Sequence, residues 1–181
     1  MLDQMQRFIS LAEWQERQRW EAELRELQAQ IKPHFLYNTL DTIQWMARKK
    51  GADDVAEVVG ALAKLFRIGL SKGRNMILFA EEIEHIKSYL HIQKVRYKDK
   101  LNYTFDIPEH LQQFYVLKLL LQPIVENAIY HGIKQRRGPG HISIQAEERD
   151  GTMYIRVKDD GIGMSRERLE ELRKSLTIDF T

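Results

Sequence analysis

Two amphipathic stripes joined by a short turn constrain this chain more than any other feature. Leu36, Leu40, Ile43 and Ala47 hold one helical face. Lys49-Lys50-Gly51-Ala52-Asp53-Asp54 reads as a turn, with Asp53 or Asp54 capping the next helix. Val55, Val58, Val59, Leu62, Leu65, Phe66 and Leu70 then form a broad apolar stripe. A lone helical hairpin cannot bury both faces, and pairing two hairpins into a four-helix bundle removes the difficulty. A homodimer through this region is therefore expected.

The residues around the hairpin set its context. From about Met5 to Lys32 the chain reads as one long polar helix, with Trp20, Leu24, Leu27 and Ile31 forming a narrow seam. That seam suits a signalling helix or a solvated helix with one packed edge. Pro33 predicts a kink near Ala29, because proline removes a backbone donor and crowds the carbonyl four residues back. Ser71 to Asn75 reads as a polar linker.

Beyond it the pattern is mixed. A helix is expected from about Ala80 to Tyr97, with Ile83, Ile86, Leu90 and Tyr97 inward. A strand follows through Leu101, Tyr103, Phe105 and Ile107, and then a helix over roughly Leu117 to Gly132. Strands over His141 to Glu147 and through Met153, Ile155 and Val157 flank the turn Arg149-Asp150-Gly151. With 43% apolar and 30% charged residues the chain can build cores, and its net charge of +2 argues for no nucleic-acid partner. The absence of cysteine excludes disulfides and thiol chemistry. No transmembrane span or signal peptide is legible, so a cytoplasmic location is expected, with membrane attachment only through parts absent from this chain.

Three short runs could carry chemistry. In Leu121-Gln122-Pro123-Ile124-Val125-Glu126-Asn127-Ala128-Ile129-Tyr130-His131-Gly132, an α-helix places Pro123, Asn127, His131 and Lys134 near one face. An asparagine oxygen suits magnesium arriving with phosphates, and Lys134 and His131 could offset phosphate charge; a solvent-facing polar edge fits equally. In Val157-Lys158-Asp159-Asp160-Gly161-Ile162-Gly163-Met164, the glycines allow the backbone to close on a ligand, and Asp159 could accept from an exocyclic amine. A plain strand-ending turn is the alternative. In Lys32-Pro33-His34-Phe35-Leu36-Tyr37-Asn38, His34 and Asn38 share an exposed helical face, where a neutral imidazole could act as a nucleophile or simply face solvent.

Taken in order, P-H-F-L-Y-N-T-L-D, then Glu82, Tyr89, Leu90, Ile92, Gln93 and Arg96 as E-x6-Y-L-x-I-Q-x-x-R, then L-Q-P-I-V-E-N-A-I-x-H-G and D-x-G-I-G-M resemble the LytS/YesM type of bacterial sensor histidine kinase. The resemblance spans about Gln28 to Ser175. It implies an α+β chain: a signalling helix over 1–32, a dimerising phosphotransfer hairpin over 33–72, and over 76–181 an incomplete ATP-binding sandwich of the Bergerat (gyrase and heat-shock-90-like) fold. It implies His34 as phosphoacceptor, Asn127 as the ligand of magnesium carried by ATP, and Glu126 as a polarising carboxylate. It further implies Asp159 as the adenine reader, Gly161 and Gly163 shaping that pocket, and His131 and Lys134 at the phosphate end.

The implied activity is autophosphorylation from ATP, then transfer to an aspartate of a response-regulator receiver domain, with the parent protein anchored in the bacterial membrane. A non-catalytic dimerisation module is the alternative, whereas gyrase-like ATPases have no need of the hairpin. Phe35 stands where many kinases carry a carboxylate base, and Asp160 stands where D-N-G is more usual. No second glycine-rich box precedes Thr181, so weak ATP binding and little unaided kinase activity are expected of this chain.

Overall fold

The computed structural model describes residues 33–70 and 75–178. The long N-terminal helix, its seam, the kink near Ala29 and most of the Ser71–Asn75 linker lie outside the described residues. Helices α1 (Pro33–Lys49) and α2 (Asp53–Gly69) form the expected hairpin, turning at Gly51 with φ +70°. The cap differs from expectation. Ala52 is the N-cap, and Asp54 accepts only the neighbouring Val55 N–H at 2.9 Å. Both aspartates sit in the first turn, where their charge favours the helix dipole.

The buried residues of α2 are alanines, Ala56, Ala61 and Ala63, and not the valine–leucine stripe. Small side chains let α1 and α3 approach α2 from two sides, so the larger residues lie at the margins of each contact. Gln44 donates to the Ala56 carbonyl at 3.1 Å beside Gly60, where a Cβ would strike the Gln44 amide. Tyr37 closes the open end by donating to the Phe66 carbonyl at 3.3 Å.

Strand β1 (Met76–Leu78) leads into α3 (Phe79–Tyr97), followed by β2 (Leu101–Asp106), β3 (Tyr115–Leu117) and α4 (Gln122–Asn127). The helix α4 continues as a π-helical turn over Ala128–Ile133, and β4 (Gly140–Arg149), β5 (Thr152–Asp159) and α5 (Arg166–Ile178) complete the order. The main sheet runs β2-β4-β5, with β2 parallel and β5 antiparallel to β4. Its two-residue hairpin turn has Asp150 at φ +51° and Gly151 at φ +74°, the double positive φ that suits twisted strands. On β4, Ile142, Ile144 and Ala146 alternate inward against Ile83, Ile86 and Leu90 of α3, as the periodicity predicts.

The helix expected over Leu117–Gly132 is shorter. Tyr115–Leu117 pairs antiparallel with β1, and Leu119 breaks the path at φ +61°. The buried Glu82 carboxylate accepts the N–H groups of Leu119 and Leu121, both at 2.9 Å. Pro123 then starts α4, where a missing donor costs nothing. Among the described residues no helix is long and apolar enough to cross a membrane.

Candidate functional site

The helix bearing Asn127 does not stay α-helical. Lys134 donates its backbone N–H to Ile129 five residues back, at 2.8 Å. A wider turn of this kind rotates everything after Ala128 relative to an α-helix, so the even spacing of Pro123, Asn127, His131 and Lys134 is not kept. Asn127, His131 and Lys134 are all exposed. Lys134 also borders a cavity of about 270 Å³ with Tyr97, Lys100, Leu101, Ile129 and Ile133, and its ammonium lies 5.7 Å from the Tyr130 ring centroid.

The π-helical turn places Gly132 against the end of β5. A Cβ on Gly132 would lie 2.5 Å from Asp159 Oδ1, and a Cβ on Gly161 would strike the Gly132 backbone itself. The two glycine-bearing runs, thirty residues apart in sequence, thus meet backbone to backbone, and only glycine permits it. Asp159 is half-buried, and its Oδ1 accepts the Gly161 N–H at 2.9 Å, which closes the turn. Gly163 lies at φ +70°, a conformation that disfavours side chains.

Glu126 is half-buried beside Asn127 and accepts from Gln122 Nε2 at 2.8 Å. The Tyr89 phenol from α3 is pushed above its ordinary value, first by burial, then by the Glu126 charge and by Tyr130. Asp160 ties the turn to the start of β4. It accepts the His141 N–H at 2.6 Å and pairs with Arg136 at 2.7 Å. The His141 N–H, followed by Arg136, holds this carboxyl below its ordinary range.

His34 stands apart from this cluster. It is exposed in the first turn of α1, with Nδ1 3.2 Å from the Asn38 amide. Helix α1 packs on α2 and makes no substantial packing with α4 or β5. A single chain therefore gathers Gly132, Asp159 and Gly161, with Glu126 and Asn127 on the same helical run, and leaves His34 on the hairpin. Sequence reading missed Gly132, Glu82 and the Asp160–Arg136 pair as organising residues. For Gly132 the signal was present, since a glycine inside a helical run often marks close backbone approach. For the carboxylates no local signal exists, because their partners lie 19 to 39 residues away.

A histidine kinase family model matches residues 22–101, and a model for histidine kinase-, DNA gyrase B- and HSP90-like ATPases matches residues 116–180. Sensor histidine kinase YesM of Bacillus subtilis (strain 168) is 37% identical over 150 residues, covering 83% of this chain and 26% of YesM. Sensor histidine kinase BtsS of Escherichia coli (strain K12) is 35% identical over 140 residues, 77% of this chain and 25% of BtsS. Sensor protein LytS of Bacillus cereus is 31% identical over 164 residues, 90% of this chain and 28% of LytS. The chain thus spans about a quarter to a third of the length of the curated relatives it matches. With the kinase segment first and the ATP-binding segment after it, and with the hairpin and the glycine contact each in its own segment, the chain belongs to the sensor histidine kinase family.

Proposed function

We propose that this chain is the phosphotransfer hairpin and part of the ATP-binding domain of a two-component kinase, which phosphorylates His34 and passes the phosphoryl group to a response-regulator aspartate. The observation that carries the reading is the backbone contact between Gly132 and Gly161, which joins the asparagine run to the aspartate turn. In this reading Asp159 accepts from the adenine amine, while Gly161 and Gly163 shape the pocket. His131 and Lys134 face the phosphates.

Asn127 is the ligand for a magnesium ion carried by those phosphates. Its exposed amide fits that part, and among the described residues no cluster of His, Asp or Glu would hold a metal unaided. The ion offsets charge on the phosphate oxygens.

The Asn38 amide lies 3.2 Å from His34 Nδ1; with that amide turned so that its oxygen accepts from Nδ1–H, Nε2 is the outward nitrogen with a free lone pair. In the proposed step Nε2 attacks the γ-phosphorus in line. The N–P bond forms as the bond to the β-phosphate oxygen breaks, and ADP leaves. The imidazolium formed then gives up its remaining N–H proton, and Glu126 is the carboxylate we assign as acceptor, since Phe35 occupies the place after His34. The hairpin dimerises as a four-helix bundle, residues 1–32 deliver the signal, and the parent protein is anchored in the cell membrane.

The test is incubation of the full-length protein with magnesium and γ-labelled ATP. Acid-labile, base-stable label on wild type and none on His34→Gln is expected. Label retained by His34→Gln removes the phosphoacceptor assignment. No label on wild type favours a purely dimerising, signalling module.

A further inference from the structure

Helix α3 carries a buried polar stripe that the proposed reaction does not use. Glu82, His85, Tyr89 and Gln93 recur at spacings of three, four and four, on one face, and all are buried. Glu82 is committed to the Leu119 and Leu121 amides. His85 has a different neighbour. The ring is 1% exposed, and its Nε2 lies 2.8 Å from Gln122 Oε1, while Gln122 Nε2 donates to Glu126 at 2.8 Å.

Chemistry fixes the direction of this chain. An ionised carboxylate only accepts, so the Gln122 amide turns its NH2 to Glu126 and its oxygen to His85. His85 Nε2 is then the protonated, donating nitrogen. The opposite nitrogen, Nδ1, is buried with no hydrogen-bond partner. Burying a polar ring on one hydrogen bond is a costly way to fill space that an aliphatic side chain would fill more cheaply. The ring also lies at the hairpin's last turn, its Cε1 3.9 Å from where a Cβ on Gly69 would sit. Beyond Gln122, the Tyr89 phenol of α3 lies within reach of the Glu126 charge and hydrogen-bonds to Tyr130.

We propose that His85 is a positioning residue: through Gln122 it holds the Glu126 carboxylate in one orientation beside Asn127, and it seats that carboxylate relative to the end of the hairpin. The proposal rests on the reading of Glu126 as proton acceptor. His85 touches no substrate, and it acts on the rate of phosphoryl transfer without acting on ATP affinity.

The experiment uses the full-length protein and measures ATP affinity and the single-turnover rate of His34 labelling separately. His85→Leu and Gln122→Met should each slow labelling by about tenfold with ATP affinity within about twofold of wild type, since each removes one hydrogen bond from the chain that holds the Glu126 carboxylate. His85→Gln, whose Nε2 can replace the donating ring nitrogen, should restore most of the rate. In a Glu126→Gln background His85→Leu should add nothing further. Thermal unfolding of each variant separates a positioning loss from a folding loss.

If His85→Leu labels at the wild-type rate, or His85→Gln is as slow as His85→Leu, the positioning role is overturned. An equal fall in ATP affinity overturns it too. A wild type without label defeats the kinase reading itself and this role with it, which keeps the two failures distinct.

Discussion

The hairpin and the sheet unit are built from comparable helices but finish their cores differently. In the sheet unit, Ile142, Ile144, Ile86, Leu90, Leu101 and Leu111 are fully buried together, so β2, β4 and β5 with α3 close their own core. In the hairpin only Leu40 and three alanines are buried, while Phe35, Ile43 and Met46 remain 71%, 42% and 50% exposed. These three lie on one side of α1, next to the Leu36–Leu40–Ala47 face that meets α2. In the proposed dimer a second hairpin covers an apolar strip of that kind. The sheet unit fills an aliphatic core within one chain, and the hairpin leaves an apolar side open.

The largest expected effect lies in the sheet unit. Glu82→Leu leaves the buried N–H groups of Leu119 and Leu121 without an acceptor, and at roughly 1–3 kcal/mol each the loss should be about 4 kcal/mol. All three tryptophans, Trp14, Trp20 and Trp45, precede the sheet unit. In urea, far-UV circular dichroism should therefore register the loss while tryptophan emission shifts much less. Coincident shifts of equal size by both probes would mean that the two regions do not differ in this way.

Met46→Glu attacks the other side of the comparison. If this strip meets the partner hairpin of the proposed dimer, a carboxylate in it should weaken self-association by about 100-fold, through an unpaired charge in an apolar contact. Analytical ultracentrifugation reads the change, and the far-UV spectrum of the sheet unit should stay as it is. An unchanged dimer would place the interface elsewhere.

What could be read in advance follows the same division. The hairpin, the β4–β5 turn at Asp150-Gly151 and the inward face of α3 depend on neighbours close in sequence, and periodicity finds them. The polar face of α3 escaped because a helix lying between α2 and the sheet buries more than one side, and a single stripe announces only one. The break at Leu119 carries no glycine to mark it. It is held by Glu82, 37 residues upstream. The π-helical turn after Ala128 has no residue signature, yet it decides that Gly132 rather than His131 meets Asp159. The motif residues were legible as a set; the contact that joins them was not.

Gly161→Ala tests that contact directly. Its Cβ would strike the Gly132 backbone, which cannot swing aside as a flexible side chain can. Overpacking at such a site costs about 2 kcal/mol, so ATP affinity should fall by about 30-fold, read by competition with a fluorescent nucleotide. Gly163→Ala, strained by its positive φ without a clash, should cost about 1 kcal/mol, a smaller loss. Equal losses at the two glycines would remove the special place given to the Gly132–Gly161 contact.

Asp160→Asn should have the smallest effect, and its sign with pH is fixed. The wild-type carboxyl is held below its ordinary value of 3.8, first by the His141 N–H and then by Arg136. A depressed carboxyl contributes stability above its unfolded value, and that contribution disappears as pH falls through the folded one. Asparagine keeps an acceptor for His141 and loses the charge facing Arg136. Both partners are more than a third exposed, so screening keeps the loss below about 1 kcal/mol. The difference between wild type and Asp160→Asn should therefore be greatest near pH 7, shrink with added salt and vanish below the ordinary carboxylate range. A difference that persisted at pH 2 would mean that the His141 bond, not the charge, is what the substitution removes.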